Sequence, residues 1–253
     1  MKNLTYTFVF TLALLFMGHL SFAQTSTKTS APDSAEIKKA YEEWLRLDWP
    51  NFARYRDENA KLGMPASGEK RIVFMGNSIT DSWSRVSPTF FKGKPYVNRG
   101  ISGQTTPQML VRFRADVINL KPKAVVILAG TNDIAGNTGP STLEMIEDNI
   151  ASMAELAKAN DIKVILASVL PVYDYPWKPG LHPVEKIATL NKWIKNYAEK
   201  NGMVYLDYYS AMADERKGLP GAYSKDGVHP NEAGYRVMEP LAEKAIAKAL
   251  SQK

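Results

Sequence analysis

Five short apolar runs, separated by stretches with helical spacing, set the terms for what this chain can fold into. They are Ile72–Met75, Tyr96–Asn98, Ala124–Leu128, Val164–Val169 and Met203–Leu206. Runs that stay apolar instead of alternating belong to strands buried on both faces. Strands interleaved with helices imply a parallel sheet covered by helices on either side. The clearest helix lies in Ser141–Ala159, where Ser141 and Glu144 read as a capping box and Leu143, Ile146, Ile150, Met153 and Leu156 or Ala157 form one stripe. A last helix is expected from about Asn231 to Leu250, with a bend at Pro240. No internal repeat or low-complexity tract divides this region, so one α/β domain is predicted. In such sheets, function gathers on the loops after the carboxyl ends of the strands.

The chain ahead of this region reads differently. Lys2 precedes an apolar run, Phe8–Met17, broken by Thr11, and small residues Ser21 and Ala23 stand before Gln24. This is the layout of a cleavable secretory signal over residues 1–23, cut after Ala23. A membrane-spanning helix needs about 20 apolar residues, and this run is much shorter. The expectation is therefore a periplasmic or secreted protein with no stable membrane anchor once the signal is removed. Residues 24–33 read as a flexible linker and residues 34–66 as a helical extension packed on the core. In the extension Asp33 and Glu36 mark a helix start, Ile37, Tyr41, Trp44 and Leu45 share a face, and Pro50 separates a second helix over Asn51–Leu62.

Composition matters mainly for what it removes. The chain has no Cys and only three His, and loss of the signal takes His19 with it, leaving His182 and His229. Thiol chemistry is unavailable, and two histidines without cysteine are a poor basis for a transition-metal cluster. No metal or other cofactor is expected. The net charge of +6 is scattered, with pairs such as Lys38-Lys39 beside Glu36, Glu42 and Glu43. A nucleic-acid partner is not expected, because such binders concentrate their charge in a patch or stripe.

The strand ends carry the informative residues. Gly76-Asn77-Ser78-Ile79 follows the first run, Gly100-Ile101-Ser102-Gly103-Gln104-Thr105-Thr106 the second, and Gly130-Thr131-Asn132-Asp133 the third. Asp226-Gly227-Val228-His229 precedes the last helix. Together these supply the parts of an acyl-transfer site. A serine hydroxyl needs a base to take its proton, and the imidazole needs a carboxylate to fix its tautomer. An oxyanion needs preorganised donors, each typically worth about 3–4 kcal/mol. Ser78, His229 and Asp226 answer the first two needs; the Ser78 and Gly103 amides and the Asn132 side chain answer the third.

The four blocks resemble the SGNH (GDSL) hydrolase family, over Arg71 to about Leu250. The resemblance implies a flavodoxin-like three-layer α/β/α fold with a five-stranded parallel sheet, and a catalytic domain over residues 67–253. It implies a Ser78–His229–Asp226 triad and an oxyanion hole of Ser78, Gly103 and Asn132. Asn77 stands where the family usually has Asp, and Thr80 departs from the G-x-S-x-G elbow of other serine hydrolases.

Each residue also has a plainer reading. Ser78 can be a helix N-cap, Gly103 a turn glycine, Asn132 a loop brace, and Asp226-Gly227 a turn. Asp133 reads as a brace for its loop. Tyr173, Tyr175 and Trp177, with His182, lie in Pro171–Pro183 and either wall a substrate pocket or pack their loop onto the core. The implied reaction is hydrolysis of a small-molecule or oligosaccharide ester, with short acyl groups, acetyl above all, favoured. A lysophospholipase and a non-catalytic glycan-binding module on the same fold are the alternatives.

Overall fold

The computed structural model describes residues 34–252. The expected signal (1–23) and linker (24–33) lie outside the described residues, as do the side chains of Ile37, Tyr41, Trp44 and Leu45. Five strands, β1 (Ile72–Gly76), β2 (Tyr96–Gly100), β3 (Ala124–Leu128), β4 (Lys163–Ala167) and β5 (Val204–Leu206), pair in parallel in the order β2-β1-β3-β4-β5. This is the flavodoxin-like order, whose direction of winding reverses between β1 and β3. The chain must leave those two strand ends in opposite directions, which opens a crevice there.

The helices are α1 (Ser34–Asp48), α2 (Ala53–Leu62), α3 (Ser78–Val86), α4 (Thr106–Asp116), the short α5 (Thr131–Ile134), α6 (Leu143–Lys158), α7 (Val184–Lys200), the short α8 (Tyr209–Met212) and α9 (Glu232–Ser251). Alternate strand residues point to opposite faces. Val73, Met75, Val125 and Ile127 therefore meet Met109 and Phe113 of α4, Ile150 of α6 and Ile194 of α7. Ile72, Phe74, Val126 and Leu128 meet Trp83 of α3 and Tyr235, Met238 and Ile246 of α9. Trp83 stacks between Phe90 and Tyr235, with centroids 4.7 and 5.3 Å away. Helix α3 is thereby held against the sheet by its far end.

Two local expectations change. The cap of α6 is Thr142, whose hydroxyl accepts the Met145 amide at 3.2 Å, so Ser141 and Glu144 form no capping box. Strand β4 ends at Ala167 instead of Val169, because Asn191 of α7 takes both backbone groups of Val169, at 2.7 and 2.9 Å. The last helix runs from Glu232 to Ser251 with Pro240 inside it, within a residue of its expected bounds. The two N-terminal helices meet where Asp48 receives the Phe52 and Ala53 amides, each at 2.9 Å. From there α2 lies beside α4, with the Tyr55 hydroxyl buried and donating to the Gly100 carbonyl.

Candidate active site

Ser78, Gly103 and Asn132 follow β1, β2 and β3, so neighbouring strands deliver all three to one edge of the sheet. Asn77, not Ser78, caps α3: its Oδ1 accepts the Ile79 amide at 3.0 Å. Asn caps a helix as well as Asp does, so this departure from the family pattern keeps the hydrogen bond behind Ser78. Ser78 is the first residue of the helix, and its hydroxyl is directed elsewhere. Helix α3 can sit this low only because β2 ends in glycine. A Cβ at Gly100 would stand 2.1 Å from the Asp81 nitrogen.

Ser78 Oγ lies 2.8 Å from His229 Nε2, and His229 Nδ1 lies 2.7 Å from Asp226 Oδ2. The other carboxylate oxygen accepts the Val228 and His229 amides, at 2.9 and 2.8 Å, and the Ser224 hydroxyl at 3.0 Å. Burial pushes the Asp226 carboxyl up, but the hydrogen bonds from His229 and Val228 and the His229 charge outweigh it, leaving it lowered to about 2. Asp226 is thus a carboxylate at neutral pH. A hydroxyl, an imidazole and an ionised carboxylate in this order can move a proton off Ser78 and hold the resulting imidazolium.

Beside the hydroxyl are unspent donors. Among the described residues, neither the Ser78 nor the Gly103 amide donates to a protein acceptor. Gly103 has φ 79°, which turns the chain after β2 in a conformation that suits glycine. The buried Asn132 side chain gives one N–H to the Gln104 carbonyl at 2.9 Å, which leaves its second hydrogen available. All three residues line one cleft of about 490 Å³ with Asp226 and His229.

The aromatic loop divides. Trp177 lines the cleft, 41% exposed, with its ring centroid 6.2 Å from that of His229 and its Nε1 donating to Asn137 Oδ1 at 3.2 Å. Tyr175 is fully buried and donates to the Thr131 carbonyl at 2.9 Å, so it supports the Asn132 turn from beneath and cannot touch substrate. Tyr173 lies under the Arg216 guanidinium, 5.1 Å from its centroid, and is not part of the cleft lining. His182 is exposed, takes φ 48°, and also lies off the lining. Asp133 accepts the Thr106 amide and hydroxyl, at 2.9 and 2.5 Å, tying the β3 loop to the start of α4.

Several lining residues carry no motif. Ser82, Arg85 and Val86 reach the cleft because they lie on the exposed side of α3, one and two turns beyond Ser78. Ser224 belongs to the Asp226 turn, and only the Ser-x-Asp-Gly spacing hints at it. Asp81 accepts the Ser102 hydroxyl at 2.6 Å and so pins the Gly103 loop to α3.

A family model described as the GDSL-like lipase/acylhydrolase family matches residues 74–237. The solved structure of a GDSL-like lipase from Bacteroides thetaiotaomicron is 53% identical, covers 79% of this chain and 99% of its own, and superposes with a TM-score of 0.78. An acetylxylan esterase from Geobacillus stearothermophilus is 26% identical over 203 residues, 68% of this chain and 91% of that protein. The lipoprotein YqeF of Bacillus subtilis is 32% identical over 129 residues. That match covers 44% of this chain and about half (53%) of the lipoprotein.

Proposed function

The chain belongs to the GDSL-like lipase/acylhydrolase family, whose chemistry is carboxylic ester hydrolysis, and we propose that it is an exported serine esterase that removes short acyl groups, acetyl above all, from hydroxylated substrates such as glycans. The observation that carries this reading is the 2.8 and 2.7 Å relay from Ser78 through His229 to Asp226, opening beside three unspent donors.

In this reading Ser78 Oγ attacks the ester carbonyl carbon while His229 Nε2 takes its proton. The carbonyl oxygen becomes an oxyanion held by the Ser78 and Gly103 amides and the free Asn132 N–H. Collapse breaks the bond to the alcohol, which leaves with the proton from His229, and Ser78 carries the acyl group. Water then gives its proton to His229 and attacks the acyl carbon. The acid departs and Ser78 recovers its hydrogen. Ester and water become acid and alcohol, with nothing left over.

The cleft lining supports the substrate assignment. Ser82, Ser102, Asn132 and Asn137 offer hydroxyl and amide groups, and Trp177 offers a flat apolar face of the kind a sugar ring packs against. Each buried methylene is worth about 0.8 kcal/mol, and a long chain gains that only along an apolar wall. Val86, Trp177 and Pro230 are the apolar side chains of this lining. Across p-nitrophenyl acetate, butyrate, octanoate and palmitate, kcat/KM is therefore expected to be highest for acetate and to fall with chain length. A steady rise towards palmitate would make the protein a lysophospholipase-type acylhydrolase. Turnover itself separates both from a binding module.

Export rests on the Lys2, Phe8–Met17 and Ser21-Phe22-Ala23 pattern. Among the described residues, no helix is long and apolar enough to cross a membrane. N-terminal sequencing of the protein recovered from its producing cell's envelope or medium is expected to begin at Gln24. A product that keeps Met1 or Lys2 would overturn the signal.

A further inference from the structure

Arg112 is fully buried on α4, within the core side of the sheet, and is not among the residues that line the cleft. Its guanidinium spends its donors on four partners. Nη2 donates to the Gly76 and Arg99 carbonyls at 3.1 and 2.9 Å, at the ends of β1 and β2. Nε donates to Gln104 Oε1 at 2.5 Å, and Nη1 to Asp116 at 2.9 Å. Gln104 is the residue after Gly103, and its backbone carbonyl is the acceptor that orients the Asn132 amide. One side chain thus ties together the strand end before Ser78, the strand end before Gly103 and the residue that aims Asn132.

The same hub is held from outside the stretch that matches the family model. Gln104 Nε2 donates to the Pro50 carbonyl at 2.7 Å, and Gln108 Nε2 to the Trp49 carbonyl at 2.8 Å. Asn59 of α2 donates to the second Asp116 oxygen at 2.7 Å and accepts from Arg99 Nε at 2.8 Å. These bonds explain how a charged pair is accommodated in the interior: its donors and acceptors are matched on every side.

We propose that Arg112, braced by the Trp49–Asn59 segment, is a positioning residue that fixes the oxyanion donors. It acts through Gln104 upon Gly103 and Asn132, and the N-terminal segment is a working part of the catalytic unit, not an appendage. The inference rests on the esterase reading above. Donor geometry weighs on the transition state more than on the bound ester, so the effect should fall on kcat.

The test compares the full chain with Arg112→Lys, Asn59→Ala, Asn132→Ala and the Arg112→Lys/Asn132→Ala double variant. Each is measured for kcat and KM on p-nitrophenyl acetate, for Tm, and for hydrogen exchange in the Gly100–Thr105 loop. A lysine keeps the charge but cannot reach four separated partners. Arg112→Lys is expected to lower kcat by about 10- to 100-fold, the scale of a small misplacement, with KM within about twofold. Asn59→Ala is expected to act in the same direction by a few-fold and to speed exchange in the loop. In the Asn132→Ala background the cost of Arg112→Lys should shrink severalfold, because one of the groups it positions is gone.

Equal cost in both backgrounds, or unchanged kcat with Tm lowered, would make Arg112 a stability element and overturn the proposal. If Arg112→Lys does not fold, Asn59→Ala carries the test, and unchanged kcat and exchange there overturn it. A wild-type chain without esterase activity would sink the esterase reading instead. The exchange measurement would then decide whether the brace orders the loop.

Discussion

Replacing Ser78 with Ala is expected to lower hydrolysis of p-nitrophenyl acetate by about 10⁴-fold or more, on the scale of nucleophile loss in serine hydrolases, and to leave the fold as it is. The second half of that expectation comes from the position of the cap. Were Ser78 the N-cap of α3, removing its hydroxyl would cost about 1 kcal/mol of helix stability, and lost activity would be ambiguous. The cap is Asn77, through Oδ1 to the Ile79 amide at 3.0 Å, and it is untouched by the change. The Ser78 hydroxyl, by contrast, has one partner among the described residues, His229 Nε2. Tm of the variant should thus match the wild type to within about 0.5 kcal/mol of stability, while labelling by a fluorophosphonate probe disappears. Substantial turnover in a folded Ser78→Ala variant would sink the nucleophile assignment and the acyl-enzyme route with it.

Strand β3 was legible to the residue, because an apolar run buried on both faces has no polar member to blur its ends. The end of β4 was not: Val169 is as apolar as its neighbours, and what removes it from the ladder is Asn191, 22 residues further on. The candidate site divides along the same line. Ser78, Asp226 and His229 stand out in the sequence because acyl-transfer chemistry calls for those residue types, and the structure brings the three within hydrogen-bond distance of one another. Ser78 reads equally well as a cap, and what removes that role is a helix that starts one residue earlier, with Asn77 as its cap. Tyr175 and Trp177 look equivalent in sequence, yet one is locked under Thr131 and the other stands beside His229. Arg112 was invisible for a different reason. A pattern reading assigns an arginine in an amphipathic helix to solvent, and only the converging carbonyls of Gly76 and Arg99, with Gln104 and Asp116, make its burial sensible.

Asp226→Asn is expected to cost about 10⁴-fold in kcat, the scale seen when the carboxylate of a triad becomes an amide, and the local hydrogen bonds explain why so small a change is so damaging. Asp226 Oδ1 accepts the Val228 and His229 amides at 2.9 and 2.8 Å. Those two N–H groups cannot face an amide nitrogen, so the asparagine must keep its oxygen there. Its NH₂ then occupies the place of Oδ2, 2.7 Å from His229 Nδ1. An NH₂ can only donate, so Nδ1 becomes the acceptor and the imidazole proton moves to Nε2. Nε2–H then points at Ser78 Oγ and cannot take its proton. The geometry of the site survives, in the wrong tautomer. The pH dependence of stability gives an independent reading of the same contact. The folded Asp226 carboxyl is lowered to about 2, below its ordinary value, so it stabilises the wild type above about pH 4 and that contribution is lost as the pH falls towards 2. The variant lacks this contribution, so its acid unfolding should be less steep over that window, while fluorophosphonate labelling at neutral pH slows with kcat. Retention of more than about a tenth of wild-type activity by a folded Asp226→Asn protein would mean that another group orients His229, against the 10⁴-fold expectation.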